Sequence, residues 1–455
     1  MNTELEIAKK EKEALLSEKW AALEGAIPEK YREEILAELK KIYALYKPED
    51  AVKWLASLYD PETGGFYCSR SAKETEGFGP DIEDTYFGLA LVGWMGMAEK
   101  FEGKWWKAMP RDISEKAAYW LQSLQDEDSY FYLPQWPKEY IMENRFQSRI
   151  TRDRGSAKEV MNRLEVPEKY PPKPRNESGE KESKQSLLSQ YDSTESFKAY
   201  LDGFEEELKT KTPEERAFRF YYYGNLFQST VGHLTDEMKK MVIDFFDRHQ
   251  NPENGMWADM LCRNATNGIH KICSVYNALG VEMKYADKII NSTLEILMWD
   301  KVEHPSSTTC DIYNVWSCFQ YIYKNIREFS AGTKEEKEAR CERMKELVYK
   351  KVAEAIRITY GHLVDYAYPD GSFSYHNGYS LHHAQGCPTA VRGTKEGDIS
   401  GFLLAVEDMP KYILSALDLL DYRIPIFAEY DRLIYIDGIR NAKPAVKRPM
   451  PKIDN

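Results

Sequence analysis

Three carboxylates close together in the first fifth of the chain are well suited to proton chemistry. Asp81, Glu83 and Asp84 lie just before an apolar stretch that begins at Thr85. Carboxylates packed together raise one another's pKa, and a carboxyl that keeps its proton near neutral pH can act as a general acid. One helix start needs only one N-cap, so capping accounts for only one of the three. We therefore predict that Asp81, Glu83 and Asp84 are catalytic.

A second group of reactive side chains occupies one loop in the last quarter of the chain. The group consists of Tyr375, His376, Tyr379, His382 and His383, followed by Gly386-Cys387-Pro388 and Arg392. A histidine can act as a base at neutral pH, and an arginine can hold a carboxylate or sulfate. The alternative is a structural loop with hydrogen-bonded histidines. We predict His376 and Tyr379 as catalytic, and Tyr375, His382, His383 and Arg392 as substrate-binding.

Other polar and aromatic residues stand at or near the starts of further apolar stretches. We predict that these residues also bind substrate: Trp257, Asn267, His270, Asp311, Trp316 and Asp398. Tyrosine and tryptophan combine a flat apolar face with a polar tip, which suits a cleft for sugars. For Asp311 and Asp398, helix capping is the competing interpretation. No helix-spaced His/Glu motif supports a metal site and the chain has no glycine-rich nucleotide loop, so the sequence predicts neither a metal nor a cofactor.

A repeated pattern connects these residues. In each copy an amphipathic stretch leads into a turn, the turn ends on aromatic residues, and a more apolar stretch follows. The copies run from Trp54 to Gly64-Gly65-Phe66, from Trp120 to Tyr130-Phe131-Tyr132, from Phe245 to Gly255-Met256-Trp257, and from Ile356 to Asp370-Gly371-Ser372-Phe373. Repeats that bury one face against a neighbour are typical of stacked or ring-closed helical units.

The repeats predict an all-α protein, a single α/α toroid of the six-fold helical-barrel type. Residues 85–97, 269–279, 312–323 and 399–406 are apolar nearly all round and should form inner helices. Residues 335–356 are charged on one face and should form an outer helix. Loops that enter the inner helices open at one end, where their polar residues should converge. Only residues 433–436 suggest a β-strand.

The predicted organisation has three parts. Residues 1–50 form an N-terminal helical extension of two helices divided near Pro28. Residues 51–430 form the toroid, with an insertion rich in Pro, Lys, Glu and Ser at about 147–195. Whether this insertion covers the mouth of the barrel is left open. Residues 431–455 form an extended C-terminal tail.

Composition narrows the range of partners. The net charge of −12 and pI of about 5.4 argue against nucleic acid and against an anionic membrane surface. No apolar stretch is long enough to span a bilayer, and residues 1–20 lack the apolar core of a signal peptide. The seven cysteines are odd in number and show no Cys-x-x-Cys spacing, which favours free thiols in a reducing cytoplasm. The sequence leaves the oligomeric state open.

The repeats resemble the QW-type repeats of the terpenoid cyclase and protein prenyltransferase superfamily, which implies an α/α toroid. Asp81-Ile82-Glu83-Asp84-Thr85 resembles the Asp-x-Asp-Asp-Thr motif of class II terpene cyclases, with Glu83 at the position of the catalytic acid. Residues 370–376, Asp-Gly-Ser-Phe-Ser-Tyr-His, resemble the Asp-Gly-Ser-Phe-x-x-His loop of toroidal glycosaminoglycan lyases. That resemblance implies proton transfer by His376 and Tyr379 beside an asparagine, for which Asn267 is the candidate.

The leading functional prediction is a carbohydrate-active lyase or glycoside hydrolase that acts on a small molecule or an oligosaccharide by general acid/base chemistry. The first alternative is a terpenoid cyclase-like enzyme, which requires a deep, closed, aromatic cavity. The second is a toroidal binding protein without catalysis, in which the two groups of reactive residues would lie far apart.

Overall fold

The computed structural model describes residues 2–144, 147–171 and 189–451, and it is mostly helical, which confirms the all-α prediction. The α-helices are α1 (Asn2–Ala26), α2 (Glu29–Leu45), α3 (Pro48–Ser57), α4 (Arg70–Glu74), α5 (Ile82–Trp94), α6 (Trp105–Ala108), α7 (Arg111–Ser123), α8 (Lys138–Glu143), α9 (Gln147–Arg163), α10 (Thr194–Lys209), α11 (Pro213–Thr230), α12 (Asp236–His249), α13 (Arg263–Leu279), α14 (Ala286–Leu297), α15 (Thr309–Phe329), α16 (Lys334–Tyr349), α17 (Val352–Leu363), α18 (Ile399–Phe402), α19 (Met409–Ala416) and α20 (Glu429–Arg440).

Shorter elements complete the secondary structure. A π-helical segment, Leu403–Asp408, joins α18 to α19. Single 3₁₀ turns lie at Glu99–Phe101, Ser189–Tyr191, Val231–His233 and Leu420–Tyr422. Strands β1 (His383–Ala384) and β2 (Cys387–Pro388) form one antiparallel hairpin.

The turns of the first and third repeats contain the same backbone hydrogen bond. In the first copy the Asp60 amide donates to the Gly65 carbonyl, and in the third the Asn251 amide donates to the Met256 carbonyl, both at 2.8 Å. The aromatic residue at the end of each turn is almost completely buried. These residues are Phe66, Phe131, Trp257 and Phe373. Each turn therefore anchors a buried ring between one helix and the next.

Three turn glycines pack directly on the backbone of another helix. A Cβ atom on Gly64 would lie 2.6 Å from the Ala117 amide nitrogen in α7, and one on Gly255 would lie 2.9 Å from that of Ile289 in α14. A Cβ on Gly371, in the last copy, would lie 2.7 Å from the Ala51 nitrogen in α3. The turn of the last repeat thus contacts the helix of the first.

Gly371→Ala should destabilise the protein more than Gly378→Ala. Both glycines have φ near +80°, which costs an alanine about 1–2 kcal/mol, but Gly378 has no atom within 4 Å of the added Cβ. At Gly371 the added methyl group also meets backbone, for about 1–3 kcal/mol more. Urea unfolding of the two variants measures the difference, and equal losses would show that the contact with α3 is not tight.

Helix packing places the long central helices side by side. Helices α11, α13, α15 and α19 are neighbours in that order, while α5 contacts α9 and α18. On the outside, α3 packs on α20, α2 on α17, and α14 on α15 and α16. Of the stretches predicted as inner helices, 85–97 overlaps α5, 269–279 lies in α13, 312–323 lies in α15, and 399–406 lies in α18 and the π-helical segment. The predicted outer helix at 335–356 is two helices, α16 and α17, separated by Lys350 and Lys351.

The C-terminal strand prediction is wrong. Residues 433–436 lie inside α20, where Tyr435, Ile436 and Ile439 form a buried helical face. Gly438 lets this helix approach α3, because a Cβ there would lie 2.6 Å from the Ala56 methyl group. The extended tail consequently begins after α20 rather than at residue 431. β-Branched residues favoured a strand, and packing against α3 overrode that preference.

The segment predicted as an insertion at 147–195 contains regular structure in its described parts. Residues 147–163 form α9, which packs on α5 and α7, and α10 begins at Thr194. Residues 172–188 lie outside the described residues. The division between α1 and α2 next to Pro28 is confirmed. Within the described part of the chain, no helix is both long and apolar enough to cross a membrane.

Candidate active site

A cavity of about 290 Å³ lies where the central helices and the histidine-rich loop meet. Its lining comes from α5, α9, α11, α13, α15, the loop at 375–385, α18 and the π-helical segment. The lining residues are Glu83, Phe87, Arg152, Tyr221, Asn225, Lys271, Cys310, Tyr313, Tyr375, His376, Leu381, His383, Ala384, Gln385, Ser400, Leu403 and Leu404. One cavity therefore joins the carboxylate run to the histidine loop.

Asp81 and Glu83 have different roles in the carboxylate run. Asp81 is the N-cap of α5, where its Oδ1 accepts hydrogen bonds from the amides of Glu83 and Asp84 at 2.8 and 3.1 Å. Its Oδ2 lies 2.6 Å from Nη2 of Arg149. Glu83 faces the cavity, and its Oε1 accepts a hydrogen bond from Nε of Arg152 at 2.8 Å. Both acidic groups are therefore paired with arginines of α9.

The two arginines of α9 differ in accessibility. The side chain of Arg149 is 1% exposed, and its Nε donates to Asp153 at 3.0 Å while its Nη2 binds Asp81. The side chain of Arg152, one turn later, is 45% exposed and lies on the cavity wall. Arg149 neutralises a buried cluster, whereas Arg152 remains within reach of a ligand.

Asp84 is the member of the run with a raised pKa. It is buried, and burial, followed by the charges of Asp81 and Glu83, raises its pKa well above the ordinary value. The direction of this shift is the one that the sequence led us to expect for packed carboxylates. Asp84 does not line the cavity, so in this arrangement it cannot touch a ligand there.

Asp398 holds the histidine loop in place. Its side chain caps α18 by accepting from the Gly401 amide at 2.8 Å, and its other oxygen accepts from the amides of Tyr375 and Leu381 at 2.7 and 2.9 Å. Asp398 is fully buried, and burial raises its pKa to about 7. The capping interpretation is correct for Asp398. The same side chain also holds the loop that carries His376.

His376 is a neutral imidazole at physiological pH. Burial, helped by the neighbouring His382, lowers its pKa to about 4. Its ring stacks on Tyr379 with centroids 5.0 Å apart, and the His382 ring lies 5.2 Å away. Burial also lowers the pKa of His382 and of His383. The imidazole of His376 therefore lines the cavity in its neutral form, which can accept a proton.

Phenols and a thiol also line the cavity. The Tyr375 phenol is next to Cys310, and that neighbour together with burial raises the pKa of Tyr375 well above its usual range. Burial raises the pKa of Cys310 to about 11 and that of Tyr221 above its ordinary value. These groups are protonated at neutral pH and can donate hydrogen bonds to a ligand.

Several predicted binding residues make their contacts inside the protein instead. The indoles of Trp257 and Trp316 are buried and donate to the Phe246 carbonyl at 2.8 Å and to Thr359 at 3.0 Å. Neither ring lines the cavity, so the structure does not support the assignment of either one to sugar stacking there. His270 is also buried, next to the Ser317 hydroxyl.

Asn267, Asp311 and Arg392 also lie outside the cavity lining. Asn267 donates to Asp311 at 3.1 Å, and Asp311 accepts from the Thr308 amide in a capping box at the start of α15. Arg392 is exposed on the loop surface. Of the predicted residues, those that line the cavity are Glu83, Tyr375, His376 and His383, while Tyr379 and His382 contact His376.

Sequence reasoning missed eight polar lining residues: Arg152, Tyr221, Asn225, Lys271, Cys310, Tyr313, Gln385 and Ser400. Two of them carried a usable signal. Lys271 is a single cation in the otherwise apolar stretch at 269–279, and Arg149 and Arg152 have the three-residue spacing of one helix face. The Asn225 amide and the Lys271 ammonium have no hydrogen bond or ion pair within the described residues.

No group of three or more His, Cys, Asp or Glu side chains in the described ranges is arranged to hold a metal ion. Comparison of the chain with protein-family models, with curated proteins and with solved structures finds no match. The chemistry of the cavity is therefore the basis for assigning a function.

Proposed function

We propose that this protein is a carbohydrate-active lyase that cleaves a uronic-acid-containing saccharide by β-elimination. The observation that carries the proposal is the neutral imidazole of His376 in a cavity shared with Arg152, Asn225 and Tyr375. Elimination requires a base, a group that neutralises the uronate carboxylate, and a proton donor for the leaving oxygen. The four side chains supply these three functions.

In the proposed step His376 accepts the proton on C5 of the uronate. The electron pair of that C–H bond forms the C4–C5 double bond, and the bond from C4 to the glycosidic oxygen breaks. The Tyr375 phenol gives its proton to the leaving oxygen. Arg152 and Asn225 stabilise the charge that develops on the carboxylate, and a planar guanidinium suits that group.

The acidic residues favour elimination over hydrolysis. A glycoside hydrolase of the usual kind needs two carboxyl groups on either side of the bond, about 5–9 Å apart. Among the described lining residues Glu83 is the single carboxylate, and it is already paired with Arg152. Asp84 and Asp398 are buried outside the lining.

The guanidinium in the wall argues against the cyclase alternative. Arg152 would repel a carbocation, which aromatic faces and anions stabilise. The cavity volume, near the lower end of the range of about 300–1,000 Å³ for ligand pockets, suits one or two sugar units. The alternative of a non-catalytic binding protein requires the two groups of reactive residues to lie far apart. The cavity that they share argues against that alternative.

We also propose that the helices close into an α/α toroid. The order α11, α13, α15, α19 and the contacts of α5 with α18 and α9 support a ring around the cavity. The contact of Gly371 with α3 supports closure between the last and first repeats.

Incubation of the protein with hyaluronan, pectate, alginate and heparin tests the proposal. A lyase produces one new reducing end and one conjugated double bond per cleavage. The double bond is measured by its ultraviolet absorbance. Reducing ends without that absorbance would mean hydrolysis and would overturn elimination. If the protein cleaves none of these polymers or their oligosaccharides, the assignment of a uronic-acid-containing substrate is wrong.

The pH profile provides a further prediction for a substrate that is turned over. Because His376 must be neutral and its pKa is about 4, kcat/KM should stay level on the acidic side until pH approaches 4. Below that value kcat/KM should fall by about tenfold per pH unit as the imidazole becomes protonated. An acidic limb centred near the ordinary histidine value of 6.5 would contradict the assignment of His376 as the base.

A further inference from the structure

Lys271 is placed differently from the surface lysines of this chain. It lies on α13 and lines the cavity together with Tyr313 and Tyr375. Its stem is held where α11 and α13 come close, because a Cβ on Gly224 would be 2.8 Å from the Lys271 Cβ. The base of the side chain is therefore packed between two helices, and the residue lines the cavity.

The surroundings of Lys271 favour the uncharged amine. No carboxylate lies within ion-pairing distance of its Nζ in the described residues. Burial lowers its pKa, and the neighbouring cation Arg152 adds to that effect, while Cys310 and Asp408 act in the opposite direction. Desolvation next to a second cation is one of the recognised ways in which a lysine becomes a nucleophile toward carbonyl groups.

We propose that Lys271 is an amine nucleophile that forms an imine with carbonyl ligands in this cavity, such as an open-chain sugar, a small ketone or a 2-oxo acid. The nitrogen lone pair attacks the carbonyl carbon, and the carbonyl oxygen takes up the proton that nitrogen loses. The resulting carbinolamine then loses water as the C–O bond breaks. The net change is amine plus carbonyl to imine plus water, with no oxidant or reductant.

The phenols of the cavity suit the dehydration step. Departure of hydroxide from the carbinolamine needs a proton donor, and Tyr313 and Tyr375 are protonated phenols in the same wall. The imine is reversible by hydrolysis. This inference does not depend on the elimination reaction, since it concerns the reactivity of an amine rather than cleavage of a glycosidic bond.

Borohydride trapping tests the inference. The full-length protein is incubated at pH 7 with pyruvate or with dihydroxyacetone, reduced with sodium borohydride, and mapped by peptide mass spectrometry. We expect Lys271 to be the most heavily modified lysine, with loss of the adduct when borohydride is omitted. Modification spread evenly over surface lysines, or absent from Lys271, would overturn the inference.

Variants sharpen the result. Lys271→Met and Lys271→Arg should both lose the adduct, and the arginine variant keeps the positive charge. Lys411→Met is the matched control, because Lys411 lies near the same helices with its Nζ 4.0 Å from Asp408, and it should leave Lys271 modification unchanged. If the Lys271 variants do not fold, the distribution of modified lysines in the unaltered protein still tests the inference. Failure of the lyase assay has no bearing on this readout.

Discussion

Arg149→Met should lower the free energy of unfolding by about 3–5 kcal/mol, the loss expected when one partner of a buried ion pair is removed. Arg149 lies between Asp81 and Asp153, its guanidinium is 4.9 Å from the Trp136 ring, and its side chain is 1% exposed. Methionine fills much of the same volume but leaves two buried carboxylates without a counter-charge. Urea unfolding followed by circular dichroism measures the change.

The pH dependence of the Arg149→Met variant has a defined sign. Burial already raises the pKa of Asp153 to about 7, and loss of the guanidinium removes the charge that opposes that rise. A carboxyl whose folded pKa is raised binds more protons in the folded state, so its folded state loses stability as pH increases. The deficit of the variant should therefore be larger at pH 8 than at pH 6.

Arg163→Met is the matched control on the same helix. Arg163 pairs with Glu159 at 2.8 Å, and both side chains are substantially exposed, so the cost should stay below about 1 kcal/mol. Equal losses for the two variants would show that the buried cluster around Arg149 has no special contribution to stability.

His376→Ala should reduce kcat/KM on an eliminated substrate by about 10²–10⁴-fold, the usual contribution of a general base. The variant removes the proton acceptor but leaves Arg152 and Asn225 to bind the uronate, so the loss should fall mainly on kcat. Steady-state kinetics at pH 7 separate the two parameters. Because the loop is held by Asp398 rather than by the imidazole, the unfolding midpoint should change little.

His304→Ala is a suitable control for general effects of histidine removal. His304 is exposed and stacks on Trp299 with ring centroids 4.2 Å apart, outside the cavity lining. This variant should keep its activity. A His376→Ala protein with kcat within a factor of a few of the unaltered protein would exclude His376 as the base.

The fold could be predicted to the level of helices and repeats because the repeat has strong local signals. A turn glycine followed by a buried aromatic marks three of the turns, and the structure gives these glycines positive φ. Where the signal was weaker the prediction was wrong: residues 433–436 contain β-branched side chains, yet their contacts with α3 place them in a helix. The break between α16 and α17 was missed because Lys350 and Lys351 carry no helix-stop signal.

The site was predicted in part, for a physical reason. Reactive residues in short local groups, such as Glu83 and His376, are recognisable because their types are unusual together. Trp257 and Trp316 were misassigned because composition does not show whether an indole faces a cleft or the core. Arg152 and Lys271 each carry a weak local signal, but that signal does not show which distant helices meet around them, so neither was assigned to the cavity.

The contact between Gly371 and Ala51 has a consequence for biosynthesis. Helix α3 is translated about 320 residues before the turn that packs on it, a delay of roughly 15–60 s at ordinary elongation rates. During that interval the apolar face of α3 has neither this partner nor α20, so the nascent chain exposes surface that chaperones recognise. Ribosome-bound chains that end before Gly371 should accordingly be cut by protease near α3, whereas released full-length protein should resist cleavage there.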